Sequence, residues 1–166
     1  MRAYLPVTSS LLAKFLTDRA LGGDSLTAFA VTPGLREWYV SGGVEELEYA
    51  AMAEAARACL RLIDADGTAA RRRIVLACDV PDSAVTIRDD LDRGVVRLDT
   101  AISLADVAAV HVDDIEAGAA VAAAAAVVVA ADLGDEAAQE IVDDVEDFEL
   151  AWHATQEMQE WLRTLS

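Results

Sequence analysis

The sequence predicts an α+β domain: a small mixed β-sheet with helices packed mainly on one face, followed by C-terminal helices. Three observations predict it. Residues 74–80 are almost wholly apolar, as a central strand requires. Residues 44–64 carry apolar side chains at the helical period, through Val44, Leu47, Ala51, Met52, Ala55, Cys59, Leu62 and Ile63. Strand-like segments then cluster ahead of a helical C-terminus, which favours α+β. A ferredoxin-like arrangement is the nearest common template, and the first strand-helix-strand unit reads as a right-handed parallel crossover.

Each element has its own signal. Residues 2–7 read as a strand, with Pro6 expected at its end or on an edge because proline gives no N–H to a ladder. Thr8, Ser9 and Ser10 supply a cap for a helix over about 10–20, carrying Leu12, Phe15, Leu16 and Leu21 on one face and stopped by Gly22-Gly23-Asp24. A second strand spans 26–32. Thr32-Pro33 opens a short helical turn with Leu35, Trp38 and Tyr39, and Gly42-Gly43 separates it from the long helix at 44–64. On that helix Glu54, Arg57 and Arg61 are spaced for ion pairs along its outer side. After the strand at 74–80 comes a polar loop, 81–94, with a weak strand at 84–87. A strand at 95–98, a turn at 103–106 and a strand at 107–112 follow. Asp113 and Asp114 suit the N-terminus of an Ala/Val-rich helix at about 114–132. Leu133-Gly134 ends it and Asp135 caps a helix from 136 to about 148, which the apolar spacing continues through Trp152, Met158 and Leu162. The strands at 2–7, 26–32, 74–80 and 107–112 are expected in one sheet, with helices 44–64 and 114–132 packed on it.

Composition narrows the function. The chain has 166 residues, 54% apolar and 26% charged, which is globular composition and fits one domain over 1–166. Acidic residues number 30 against 13 basic ones, a net charge of −17. Such a surface repels nucleic acid directly and repels anionic membranes. Two cysteines, Cys59 and Cys78, are too few for a disulfide framework. The N-terminus lacks the apolar run of a signal peptide. The most hydrophobic window, 117–131, falls short of the roughly 18–20 residues that span a bilayer. The expected location is the cytoplasm. Oligomeric state is left open.

Five segments carry a resemblance. They are Met-Arg-Ala-Tyr-Leu-Pro-Val-Thr at the start, Leu26 to Tyr39, Glu45 to Ala51, Val-His-Val-Asp-Asp at 110–114 and Ala-Trp-His-Ala-Thr-Gln-Glu at 151–157. Together they resemble an uncharacterised family of short actinobacterial proteins, over nearly the whole chain. The resemblance implies a bacterial cytosolic domain and transfers no catalytic or binding residue.

The chemistry-bearing residues fit no catalytic motif. Gly22-Gly23 and Gly42-Gly43 match neither G-x-G-x-x-G nor G-x-x-x-x-G-K, and G-x-S-x-G is missing. On a continuous helix His153 would share a flank with Glu146, Glu149 and Glu157. Helical metal sites use carboxylate and imidazole at such offsets, but the remaining ligands would have to come from elsewhere, and a solvated acidic flank with an exposed histidine is the preferred reading. His111 reads as a polar strand residue, or as a base oriented by Asp113. Glu45, Glu46 and Glu48 complement the dipole of the long helix. Arg71-Arg72-Arg73 guards an apolar strand or pairs with an acidic surface; as a phosphate contact it is a weak footprint against a net charge of −17. Trp38, Tyr39 and Tyr49 gather around the Pro33 turn, read first as core packing and otherwise as the lining of a pocket. No metal and no cofactor is expected.

The C-terminus is the distinctive feature. From Asp132 to Ser166 there are eleven acidic residues and one basic residue, Arg163. Apolar residues interrupt them periodically, so the segment 133–166 reads as an acidic amphipathic helical segment packed on the domain. Its outer side presents Glu140, Asp143, Asp144 and Asp147. The leading reading is a non-enzymatic interaction or regulatory domain that uses this surface to hold a basic protein partner. The alternative is a small enzyme or ligand-binding domain with a pocket near Trp38, Tyr39 and His111.

Overall fold

The computed structural model describes residues 1–39 and 41–165. In chain order the elements are β1 (Arg2–Val7), α1 (Ser9–Asp18), β2 (Ala20–Leu21), β3 (Leu26–Phe29), α2 (Pro33–Trp38), α3 (Val44–Ala65), β4 (Ile74–Asp79), β5 (Val85–Ile87), β6 (Val95–Leu98), β7 (Ile102–Ser103), β8 (Val107–Val112), α4 (Gly118–Asp132), α5 (Glu136–Val145), β9 (Ala151–His153) and α6 (Met158–Arg163). The fold class is the expected α+β. The sheet is larger than expected and not mixed: seven strands in the order β5-β6-β3-β1-β4-β8-β9, each neighbour pair antiparallel. Strands β2 and β7 form a separate two-stranded ribbon.

This topology corrects the parallel crossover. Helix α1 joins β1 to β3, which are direct antiparallel neighbours. Helix α3 joins β3 to β4 with β1 between them, one split unit of the ferredoxin-like template; the α1 connection departs from that template.

Alternation along the strands explains three packed layers. Ala3, Leu5 and Val7 of β1 with Ile74, Leu76 and Cys78 of β4 face α1 and α6, against Leu12, Phe15 and Met158. Tyr4, Val75 and Ala77 point the other way, beneath Ala51, Ala55 and Cys59 of α3. Helices therefore cover both faces. Beyond α3, Leu60 and Ile63 meet Val121 and Val128 of α4 and Val142 of α5. Helix α4 thus packs chiefly on α5 and α3, and not on the sheet as expected.

Caps at Thr8, Thr32 and Asp135 form as the sequence suggests, each side chain accepting an N–H of the first turn. Other signals are overridden. Residue Arg19 takes the left-handed conformation at φ 62° and ends α1 before the glycine pair. Gly22, at φ 87°, has no room for a side chain: a Cβ there would lie 2.6 Å from Leu26 Cδ1. Asp113 caps nothing, and Asp114 heads a 3₁₀ turn, 115–117, without a side-chain bond. With that turn the helical run Ile115–Asp132 reaches 18 residues at mean hydropathy 1.8, long and apolar enough to cross a membrane by length and composition, which corrects the shorter window. The acidic segment is not one long helix. Helix α5 stops at Val145, and β9 follows on the open edge beside β8.

Candidate functional site

The flank of α3 that faces α5 lines two adjoining cavities, about 370 and 400 Å³, which share Tyr49, Ala53 and Glu146. The helical period makes this possible. Tyr49, Met52, Ala53 and Ala56 succeed one another along one side of α3, while Ala51, Ala55 and Cys59 face the sheet. The segment after α5, residues 146–150, forms the opposite wall of the first cavity. Tyr39 and Asp92 close the far end of the second.

A buried ion pair sets the floor of the first cavity. Arg73 ends the approach to β4 and Asp113 follows β8; the antiparallel register that pairs Ile74 with Val112 brings them opposite each other. Arg73 is 3% exposed and Asp113 1%. Arg73 donates Nε–H to Asp113 Oδ2 at 2.8 Å and Nη2–H to Oδ1 at 2.7 Å, a bidentate bond. The Arg73 backbone N–H also donates to Oδ2, and Nη2 donates to the Phe148 carbonyl at 2.7 Å. The pair therefore ties the 146–150 segment to the sheet. Nη1 takes part in none of these bonds. Arg73 is among the residues that line the cavity.

The outer cavity is acidic and aromatic. Glu46, Glu54, Asp92 and Glu146 line it with Tyr39 and Tyr49, against a single cation, Arg57. Arg57 is partly spent on α5, reaching Asp143 at 3.4 Å and Glu146 at 3.6 Å. The Glu54 carboxyl is pushed above its ordinary value, first by burial and then by Asp92, with Arg57 opposing. An added positive charge would relieve that repulsion. The wall carrying Tyr39 is fixed from below: Asp89 accepts from Thr32 Oγ1 at 2.6 Å and from Gly34 N–H at 2.9 Å, locking α2 to the 88–94 loop. Burial works against the Asp89 charge, and these hydrogen bonds with that from Gly94 overcome it, holding the carboxyl below its usual value.

The expected residues fall in different places. Glu140, Asp143, Asp144 and Asp147 are exposed along the solvent side of α5 and just beyond it. Of these, Asp143 is drawn to Arg57 and Asp147 reaches the rim of the first cavity. Tyr39 lines the second cavity, which includes neither Trp38 nor His111. Trp38 lies under the Arg93 guanidinium, 3.5 Å from its ring centre. His111 lies in β8 between Val75 and Trp152, its pKa lowered by burial, then by Arg2 and His153, while Asp113 is committed to Arg73. His153 is in β9 beside Trp161 and shares no helical flank with Glu146, Glu149 or Glu157. Among the described residues no group of three or more His, Cys, Asp or Glu side chains is placed to hold a metal. Burial pushes both cysteine thiols up to about 12, so neither is a thiolate at neutral pH.

The basic run separates into three internal roles. Arg71 Nη1 donates to carbonyls at the end of α3, Arg72 lies over Trp161, and Arg73 makes the buried pair. The expected pairs along α3 are replaced by pairs between helices, Arg57 to α5 and Arg61 to Asp132 of α4. Asp92 carried no signal as a site residue, and Glu146, Arg73 and Asp113 were singled out for other partners than those the structure gives them. An arginine just before one apolar strand and an aspartate just after another was the available signal, once the two strands are paired antiparallel.

A search of the curated proteins finds no match to the chain, and a search of the solved structures finds none. A family model does match, over residues 1–162. The chain belongs to DUF6912, a family of unknown function.

Proposed function

We propose that this protein is a cytoplasmic, non-enzymatic binding module whose groove beside α3 receives a basic segment of a partner protein. One observation carries the reading: Glu46, Glu54, Asp92 and Glu146 surround Tyr39 and Tyr49 in a groove whose inner end is lined by Arg73. An extended basic segment matches both ends. Its guanidinium or ammonium groups meet the carboxylates and the tyrosine faces, and a backbone carbonyl accepts from Arg73 Nη1. A free anion is a poorer match, because Asp113 already neutralises Arg73 and the rim is acidic. The exposed row Glu140, Asp144 and Asp147 extends the negative field and speeds encounter.

The test is a titration with a capped hexapeptide alternating glycine and arginine, followed by NMR. Binding should saturate, shift the Arg73 guanidinium and Tyr49 ring signals, and weaken as the Debye length falls from about 10 Å to about 3 Å with added salt. A glutamate counterpart should not bind. Saturable binding that leaves Arg73 and Tyr49 unmoved, or no binding at low salt, rules out the groove as the site.

A further inference from the structure

The opposite flank of α3 covers an irregularity at the centre of the sheet. Strand β1 is fully paired with β4, from Arg2↔Asp79 to Val7↔Ile74. Against β3, regular pairing is confined to Tyr4↔Phe29. The cause is Pro6. Met1 and Val80 exchange both backbone bonds, at 2.6 and 3.0 Å, so the odd residues of β1 direct their N–H and C=O to β4. The even residues, Pro6 among them, therefore face β3. On β3, Ala30 donates to Gly94 of the β6 side, so Thr27 faces β1, and the register places it opposite Pro6. Proline has no N–H to give the Thr27 carbonyl, and the strands part there. This corrects the expectation that Pro6 lies at a strand end or on an edge: it is the penultimate residue of a central strand, on the seam that does not close.

The parting leaves a slot of about 410 Å³. Leu5, Val7, Leu11 and Leu26 line it from one layer, and Ala58 and Leu62 of α3 from the other. The gap therefore passes between the layers. Its walls are mostly apolar, with Phe29 beside the aliphatic residues. Its charged neighbour, Arg61, is held bidentate by Asp132, at 2.6 and 2.8 Å. The polar residues that line it are Ser25 and Thr27, both exposed, and the register leaves the Thr27 carbonyl without an N–H from Pro6.

We propose that this slot is a binding site for an uncharged aliphatic ligand with a hydroxyl or amide donor at one end, its chain between β1 and β3 and its donor on the Thr27 carbonyl. Volume and lining suit such a molecule, since ligand sites are mostly apolar with a few placed polar groups. The carbonyl gives it orientation. A carboxylate head is disfavoured, because Asp132 already neutralises Arg61 and the chain carries −17.

The probe is 1-octanol, titrated into the full chain and followed by leucine methyl NMR, with octanoate as the charged counterpart. Saturable shifts at Leu5, Leu26 and Leu62 are expected with octanol, and weaker ones with octanoate. Pro6→Ala supplies the missing N–H. It should draw β1 onto β3, protect the new amide from hydrogen exchange and weaken octanol binding about tenfold, the worth of one net hydrogen bond. Ala58→Leu fills the slot from the α3 side and should weaken binding without touching the seam. The proposal fails if octanol gives no saturable shift at these methyls, if octanoate binds as well, or if both variants bind octanol as the parent does.

Discussion

The two flanks of α3 carry openings of similar volume and opposite chemistry. On the α5 side the groove is lined by Glu46, Glu54, Asp92 and Glu146, and its walls are held by ionic and polar ties that cross between elements. On the other side the slot is lined by leucines, and it exists because one proline leaves a ladder incomplete. The difference teaches that charge placement makes the first opening and backbone chemistry makes the second. Substitutions should therefore affect them separately.

The largest expected effect is on the buried pair. Asp113→Ala leaves the Arg73 guanidinium buried without its counter-ion and should cost about 3–5 kcal/mol in chemical denaturation. Replacing both partners, Arg73→Met with Asp113→Leu, should recover much of that loss while freeing the 146–150 wall. Peptide binding should then stay lost and octanol binding should return with the fold. A double variant as unstable as the single one would contradict the pairing argument.

Next in size is Gly34→Ala. A Cβ at Gly34 would lie 2.8 Å from the Asp89 carboxyl carbon, so the lock between α2 and the 88–94 loop must shift. A loss of about 1–3 kcal/mol is expected, in the range of a strained cap. The groove side should loosen in hydrogen exchange at residues 88–94 while the slot methyls keep their shifts.

Glu54→Gln should separate function from stability. The Glu54 carboxyl is raised in the folded state, so its ionisation opposes folding: its favourable contribution is present below the ordinary value of 4.5 and is lost as pH rises through the higher folded value. Removing the charge should leave the fold equally or slightly more stable at pH 7 and still weaken the arginine peptide. Denaturation midpoints at pH 4 and pH 7, with and without the substitution, check the sign.

The smallest effect is at Asp132. Arg61 holds this carboxyl below its ordinary value of 3.8, so the stabilising contribution is complete above 3.8 and fades as pH falls through the lower folded value. Both side chains are partly exposed, which screens the pair. Asp132→Asn should flatten the acid limb of the stability curve slightly and leave neutral stability nearly unchanged. It should also improve octanoate binding, because Arg61 loses its partner.

Much of the fold was legible and little of the site. The strands at 95–98 and 107–112 and helix α3 carry patterns of apolar residues strong enough to fix their extents. The C-terminal segment misled, because Trp152, Met158 and Leu162 continue a helical spacing by coincidence. Tertiary pairing with β8 draws residues 151–153 into a strand instead. Asp113 looked like a cap because it precedes a helix, and only strand register shows that it faces Arg73. The aromatic cluster was half legible: Tyr39 and Tyr49 share a cavity, and Trp38 is stacked under Arg93 outside it. The groove joins residues as distant in sequence as Glu46 and Glu146, an adjacency that local patterns do not encode.

Calorimetry of the arginine hexapeptide tests the central claim most directly, when two charge-neutralised variants are compared. One carries Glu46→Gln, Glu54→Gln and Glu146→Gln in the groove. The other carries Glu136→Gln, Glu140→Gln and Asp144→Asn along α5, all exposed and outside both cavities. Each removes the same formal charge. If the groove is the site, the first variant loses at least tenfold in affinity, about 1.4 kcal/mol, while the second loses mainly association rate. The reverse ranking would place the partner on the outer side of α5 and contradict the groove.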